Sequence, residues 1–219
     1  MITFTEENYL KAILAISLKT EGKVSTNSIA AEIGTSAASV SDMLKKLQDK
    51  KLIKYKKYKG VSLSKRGAER AVNILRKHRL WETFLVNNLG FNWGEVHYLA
   101  EQLEHIKSTE LIDKLDAFLE YPEFDPHGEA IPTKDGNIAN TNTTPLNELH
   151  KKTKGKVMGV TLDEKTFLDY LTKLNISIGT EIEIIDIINF DQSLSIKINN
   201  INQHISNDVA KHLLIKINE

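Results

Sequence analysis

The sequence predicts a mainly α chain with a smaller β portion at its C-terminal end, and three observations carry that assignment. Across residues 5–119 apolar side chains recur at helical spacing, interrupted once by a short alternating stretch. All four prolines fall within residues 121–155, together with much Gly, Asn and Thr, which marks a change of architecture. Beyond that stretch, β-branched runs around a single helix read as a small barrel-like β-domain.

Thr5 is the expected N-cap of the first helix, with Glu6 and Glu7 in its first turn and Tyr9, Leu10, Ile13, Leu14 and Ile16 at helical spacing. Glu21-Gly22-Lys23 ends it. A short helix over residues 27–33 is stopped by Gly34, and Thr35 or Ser36 caps the next, which carries Val40, Met43, Leu44 and Leu47. KKLIKYKKYKGVSLSKRG alternates around a Lys-Gly turn, the pattern of a β-hairpin. A long helix is expected from Lys65 to about Leu89, then helices over residues 92–106 and 108–119. Residues 121–155 read as a boundary or tether rather than packed core. KGKVMGVT, GTEIEIIDII and LSIKIN are the expected strands, with a helix over residues 163–174.

The 219 residues hold 29 basic and 29 acidic side chains, but unevenly. Residues 1–80 contain 17 basic and 7 acidic groups, and residues 81–219 contain 12 and 22. A basic part suits a polyanion and an acidic, His-bearing part suits a cation. With 41% hydrophobic and 26% charged residues the chain is neither disordered nor fibrous. The absence of cysteine excludes disulfides, zinc fingers, iron–sulfur clusters and thiol nucleophiles. The N-terminus lacks a signal-peptide pattern, and no apolar run approaches the ~18 residues of a membrane span. A cytoplasmic protein with no membrane partner is expected.

Helix, glycine-bearing turn, helix and basic hairpin form the outline of a winged helix-turn-helix. The second helix begins with Thr35, Ser36, Ala37, Ala38, Ser39, Ser41 and Asp42. Small and polar residues there let a helix end approach base edges, where alanine meets a thymine methyl and serine donates or accepts. Lys45 and Lys46, with Lys56, Lys57 and Lys59 of the wing, suit backbone phosphates. Double-stranded DNA is the expected partner; the plain alternative is a helical domain with a solvated lysine face.

In WGEVHYLAEQLEHI, Val96, Leu99, Leu103 and Ile106 fall on one side of a helix and His97, Glu101, Glu104 and His105 on the other. His78 and Glu82 stand one turn apart on a separate helix. Imidazole with carboxylate suits Mn²⁺, Fe²⁺, Co²⁺ or Zn²⁺. The plain alternative is a solvated helix face. The chain lacks the His-Glu-x-x-His order of zinc proteases, a glycine-rich phosphate loop and a nucleophile elbow, so no enzyme is expected.

With TEENYLKAI, RKHRLWETFL, HYLAEQLEHIKS and DPHGEAIP in view, the chain resembles the diphtheria-toxin-repressor/MntR family of metal-dependent transcriptional regulators, in its longer form. The resemblance implies a winged helix-turn-helix domain over residues 1–64, a helical metal-binding and dimerisation domain over 65–140, a linker over 141–155 and an SH3-like β-barrel over 156–219. It implies a homodimeric repressor of metal-homeostasis genes on a palindromic operator. A first metal site would draw on His78, Glu101, Glu104 and His105. The manganese branch of the family has Asp and Glu on its opening helix where this chain has Asn8 and Lys11; Asn8 retains an amide oxygen. A second site would draw on Glu82, His97, Asp125 and His127, with Asp163 or Glu164 from the C-terminal domain. Glu101 stands where the iron branch has Cys or Met, which favours Mn²⁺ over Fe²⁺, the alternative ion. Leu99, Leu103, Leu111 and Leu115 are candidates for the dimer seam. A competing class is a metal-independent architectural DNA-binding protein.

Overall fold

The computed structural model describes residues 2–20, 22, 24–56, 60–139 and 142–218. They divide into two compact units. The first comprises Met1–His78, Gln102–Ser108 and Pro132–Ile138; the second comprises Arg79–Glu101, Thr109–Ile131 and Ala139–Glu219.

The first unit opens with α1 (Phe4–Lys19), whose N-cap is Thr3 rather than the expected Thr5. The Glu6 N–H donates to the Thr3 side chain at 3.3 Å and the Thr3 N–H donates to Glu6 Oε2 at 2.9 Å. This reciprocal capping box satisfies two helix-end donors that a start at Thr5 would leave open. Ser25 caps α2 (Thr26–Ile33), and Gly34, at φ 68°, ends it in the left-handed region. Ser36 caps α3 (Ala37–Asp49). β1 (Ile53–Lys56) and β2 (Gly60–Leu63) pair antiparallel from Ile53↔Leu63 to Lys56↔Gly60, completing the winged helix. Leu10, Ile13, Ile29, Val40, Leu44, Leu47 and Leu52 form its core. α4 (Lys65–Leu89) runs unbroken for 25 residues as expected.

α5 (Val96–Leu103) and α6 (Thr109–Phe118) are shorter than the periodicity predicts. Asn92 Oδ1 accepts from the Gly94 N–H at 2.8 Å, a local turn that competes with helix. At its other end α5 stops before Glu104, so Glu104 and His105 lie in a turn rather than on a shared helical face with His97 and Glu101.

Residues 121–131 are packed, not a tether. Phe124 and Ala130 form an isolated antiparallel bridge, and Asp125, His127, Ala130 and Ile131 are buried. Thr144–Pro145, placed in the linker by composition, forms β3 and pairs with the last strand, while Leu146 in the following 3₁₀ turn is buried in the β-domain core. The sheet contains β4 (Lys154–Val160), β5 (Glu181–Ile187), β6 (Leu194–Ile198), β7 (Ile201–Ile205) and β8 (Leu213–Ile217) in the order β3-β8-β4-β5-β6-β7, all antiparallel. Register shifts between Val157 and Gly159 and between Ile184 and Asp186 are bulges of the kind that bend strands around a core. α7 (Lys165–Lys173) covers that core through Leu168 and Leu171, and the four-residue α8 (Asn207–Ala210) precedes β8. Among the described residues no helix is long and apolar enough to cross a membrane.

Candidate metal centre and DNA-reading helix

Arg76, Lys77, His78, Arg79, Glu82 and Thr83 on α4 are all buried. Six consecutive or near-consecutive polar positions inside a protein require partners, and those partners define two clusters.

In the first unit, α1 contributes Glu7, Asn8 and Lys11, α4 contributes His78, and the turn after α5 contributes Glu104 and His105. Glu104 is fully buried; its Oε2 accepts from His78 Nδ1 at 2.6 Å and from Lys11 Nζ at 2.8 Å. Burial would push this carboxyl up, but the His78 hydrogen bond and the Lys11 and His78 charges outweigh it and hold it below the usual range. Its other oxygen, Oε1, is buried without a hydrogen-bond partner, as is Asn8 Oδ1. His105 donates through Nδ1 to Glu7 Oε2 at 2.6 Å and stacks on Phe4 with ring centroids 4.4 Å apart. That bond leaves Nε2 toward Glu104 Oε1, 3.8 Å away. A carboxylate fixing one imidazole nitrogen is the usual support for a ligating histidine.

In the second unit, Glu82, Asp125 and His127 are buried, and each offers a ligand atom, all within 4.8 Å of one another. The turn holding the latter two is built around Asp125 Oδ1, which accepts the N–H groups of His127 at 2.8 Å and Glu129 at 2.9 Å. Asp125 Oδ2 has no hydrogen-bond partner; its nearest counter-charge is Arg79 Nε at 3.6 Å. Arg79 also donates to the Ala130 carbonyl at 2.5 Å and to Glu129. His127 donates through Nε2 to the Trp93 carbonyl at 2.8 Å, which aims Nδ1 at Glu82 Oε2, 3.6 Å away. Burial and the charges of Glu82 and Glu129 push Asp125 up to about 7. Burial would lower His127, but the Glu82 hydrogen bond and the Glu82 and Asp125 charges raise it to about 9. An unpartnered buried carboxylate oxygen beside a second carboxylate and an imidazole is a donor set that fits a divalent cation.

Gly128 makes this turn possible. Its φ is +82°, and a Cβ there would lie 1.8 Å from the Met158 carbonyl oxygen. Gly128→Ala is therefore expected to cost about 1–3 kcal/mol in backbone strain alone, with the clash added. Thermal unfolding and Mn²⁺ titration check this; an alanine variant with wild-type stability and binding contradicts the tight-turn account.

Other expected site residues fall differently. His97 Nδ1 is 3.3 Å from Glu82 Oε1, at the edge of the second cluster. Glu101 pairs with His97 at 3.7 Å, within the second unit. Asp163 and Glu164 are exposed at the start of α7 and are not part of the Glu82–Asp125–His127 group. Of the four leucines expected at a dimer seam, Leu115 is buried, Leu99 and Leu103 are half-buried and Leu111 is exposed, as are Tyr98, Phe118 and Tyr121. Glu7, Glu129 and the pairing of Lys11 were not anticipated, because each acts across 50 or more residues of sequence.

On α3, Ser36, Ala37, Ala38, Ser39, Asp42, Lys45 and Lys46 are exposed, with Thr35 and Ser41 half-exposed. Ser36 is committed to capping, Ser41 donates to the Ala37 carbonyl, and Asp42 pairs with Lys45 at 3.1 Å. Ala37, Ala38 and Ser39 thus present the helix start. Lys56 closes β1, and Lys57 and Lys59 lie outside the described residues.

Comparison with known proteins agrees with both features. Residues 1–61 match the iron dependent repressor N-terminal DNA binding domain, residues 64–133 match the iron dependent repressor metal binding and dimerisation domain, and residues 144–217 match the FeoA domain. A probable metal transport system membrane protein of Chlamydia trachomatis is 45% identical over 73 residues, which are 33% of this chain and 16% of that protein. The iron-dependent repressor IdeR of Mycobacterium leprae is 31% identical over 153 residues, 66% of each chain. A solved structure of a manganese-dependent transcriptional repressor in complex with manganese superposes with a TM-score of 0.87 at 31% identity, covering 97% of this chain and 99% of that one. An exposed small-residue recognition helix, buried His–carboxylate clusters and three matched domains in this order place the chain in the diphtheria-toxin-repressor/MntR family of metal-dependent, DNA-binding transcriptional repressors.

Proposed function

We propose that this repressor responds to Mn²⁺ and binds a palindromic operator as a homodimer. The observation that carries the ion assignment is the Glu82–Asp125–His127 group, with Asp125 Oδ2 buried and lacking a hydrogen bond. Its donors are oxygen and imidazole nitrogen, and the chain has no cysteine to favour a softer ion. His97, reaching Glu82 from α5, is the candidate further ligand, and Asp163 and Glu164 would need to move to join it. Asn8, Glu104 and His105 are the candidates for a separate first site, supported by the two unpartnered oxygens and the Glu7-oriented imidazole.

A bound divalent ion would supply positive charge to the buried carboxylates. The residues do the rest. Glu82 sits on the same unbroken helix whose first turn follows β2 by one residue, so a group that fixes Glu82 fixes the helix leading from the wing. Ala37, Ala38 and Ser39 then read base edges, and Lys45, Lys46 and the wing lysines neutralise phosphates. Two copies of the recognition helix fit major grooves one helical turn, or a multiple, apart.

The test is operator binding by fluorescence anisotropy with Mn²⁺, Fe²⁺ or neither. Tight binding with Mn²⁺ and weak binding without an ion supports the reading. Stronger activation by Fe²⁺ would favour the iron reading, which the matched family's description also suits. Ion-independent binding would favour an architectural DNA-binding protein. Separately, Lys46→Ala is expected to reduce the slope of log affinity against log salt by about 1 without altering sequence preference; an unchanged slope places Lys46 away from the DNA.

A further inference from the structure

The first cluster contains a cation of its own. Lys11 Nζ lies 2.8 Å from Glu104 Oε2 and 3.4 Å from His78 Nδ1, and the Lys11 side chain is only 12% exposed. An imidazole and a carboxylate converging on one point form half of a metal site, and here an ammonium stands at that point. A second ammonium, that of Lys77, is also buried nearby, with its Nζ donating to the Ile106 carbonyl at 3.3 Å. The unsatisfied donors face elsewhere: Glu104 Oε1, not Oε2, lacks a partner, and His105 addresses Oε1. A divalent ion brought to the position between His78 Nδ1 and Glu104 Oε2 would meet the Lys11 ammonium at contact distance.

We propose that Lys11 is a built-in cation that holds the position between His78 and the Oε2 edge of Glu104 in place of a metal ion. The Nδ1 edge of His78 is then a partner of Lys11 and Glu104 rather than of an ion, and α1 is fastened to Glu104 without any ion. The first site is confined to the Oε1 edge of Glu104 and can take one ion at most. This rests on the metal-dependent reading of the chain and adds to it a residue that sets the number of ions.

The experiment counts Mn²⁺ ions per full-length chain by equilibrium dialysis with detection of free Mn²⁺ by electron paramagnetic resonance. Lys11→Glu is expected to bind one ion more than wild type, because it removes the ammonium and supplies a carboxylate. His78→Ala should remove the additional ion from Lys11→Glu. Lys11→Gln, neutral and oxygen-bearing, is the second variant should the glutamate disturb folding; it should gain the same ion more weakly. Equal counts in wild type and both Lys11 variants would overturn the proposal, as would an additional ion in Lys11→Glu that survives His78→Ala. A wild type that binds no Mn²⁺ would contradict the proposed function instead, and the gain in the Lys11 variants would still decide the role of Lys11.

Discussion

Asp125→Asn is expected to weaken Mn²⁺ binding by about 100-fold or more and to abolish most of the ion-dependent gain in operator binding. The substitution is nearly isosteric. Asparagine retains Oδ1, which accepts the His127 and Glu129 N–H groups, so the turn persists. What it loses is the charge and the buried, unpartnered Oδ2. A 100-fold loss of affinity corresponds to about 2.7 kcal/mol. Glu82→Gln should act in the same direction, since Glu82 contacts both His127 and His97. Glu164→Gln, at an exposed position off the cluster, is the control and should change binding little. Isothermal titration of Mn²⁺ and anisotropy of labelled operator measure the two effects. If Asp125→Asn binds Mn²⁺ like wild type and Glu164→Gln does not, the cluster has been misassigned.

The second large effect is on pH. In the ion-free protein at pH 7, His127, raised to about 9, is protonated, and Asp125, raised to about 7, is about half protonated. Both must give up protons for their lone pairs to face a cation. Uptake of Mn²⁺ at pH 7 should therefore release between one and two protons, and the apparent affinity should rise on the order of 100- to 1000-fold from pH 6 to pH 8. Ion-free stability moves the other way. A carboxyl raised from 3.8 to about 7 binds more protons folded than unfolded across that interval, so its contribution falls as pH rises through it. The His127–Glu82 interaction contributes fully below about 6.5 and is lost as pH rises through about 9. The ion-free melting temperature should accordingly fall from pH 6 to pH 9 while the gain on adding Mn²⁺ grows. Titrations in buffers of different ionisation enthalpy count the protons; a release of none contradicts these assignments.

What could be read from the sequence divides by distance along the chain. The winged helix was legible because its signals are local: Ser25, Gly34 and Ser36 each cap a helix within three or four residues. The Thr3–Glu6 capping box is equally local, a Thr-x-x-Glu pattern that sets the helix start two residues before Thr5. The site was legible as residue types but not as an arrangement. Periodicity placed His97, Glu101, Glu104 and His105 on one face, whereas α5 ends at Leu103 and splits the set. Nothing local distinguishes a helix that continues into Glu104 from one that stops, and the groups that hold Glu104 beyond that stop, Lys11 and His78, are 93 and 26 residues away.

The proline-bearing stretch shows the same limit. Prolines and glycine around Asp125 and His127 suggest a solvated tether, yet the turn is buried because Arg79 satisfies the Ala130 carbonyl and Glu129, about 50 residues upstream. Likewise β7 and β8 carry too little alternation to stand out, and β8 is recognised only by lying between β3 and β4. Charge was the more faithful guide. The basic N-terminal part does present an exposed helix start and lysines, and the acidic remainder does contain the buried carboxylates.

Anomalous diffraction at the manganese absorption edge, from crystals of the full chain grown with Mn²⁺, tests the central claim most directly. The predicted result is a peak bounded by Glu82, Asp125 and His127, with any first-site peak on the Oε1 edge of Glu104 and none between His78 and Lys11. Manganese bound elsewhere, with the Glu82–Asp125–His127 group lacking a peak, would contradict it.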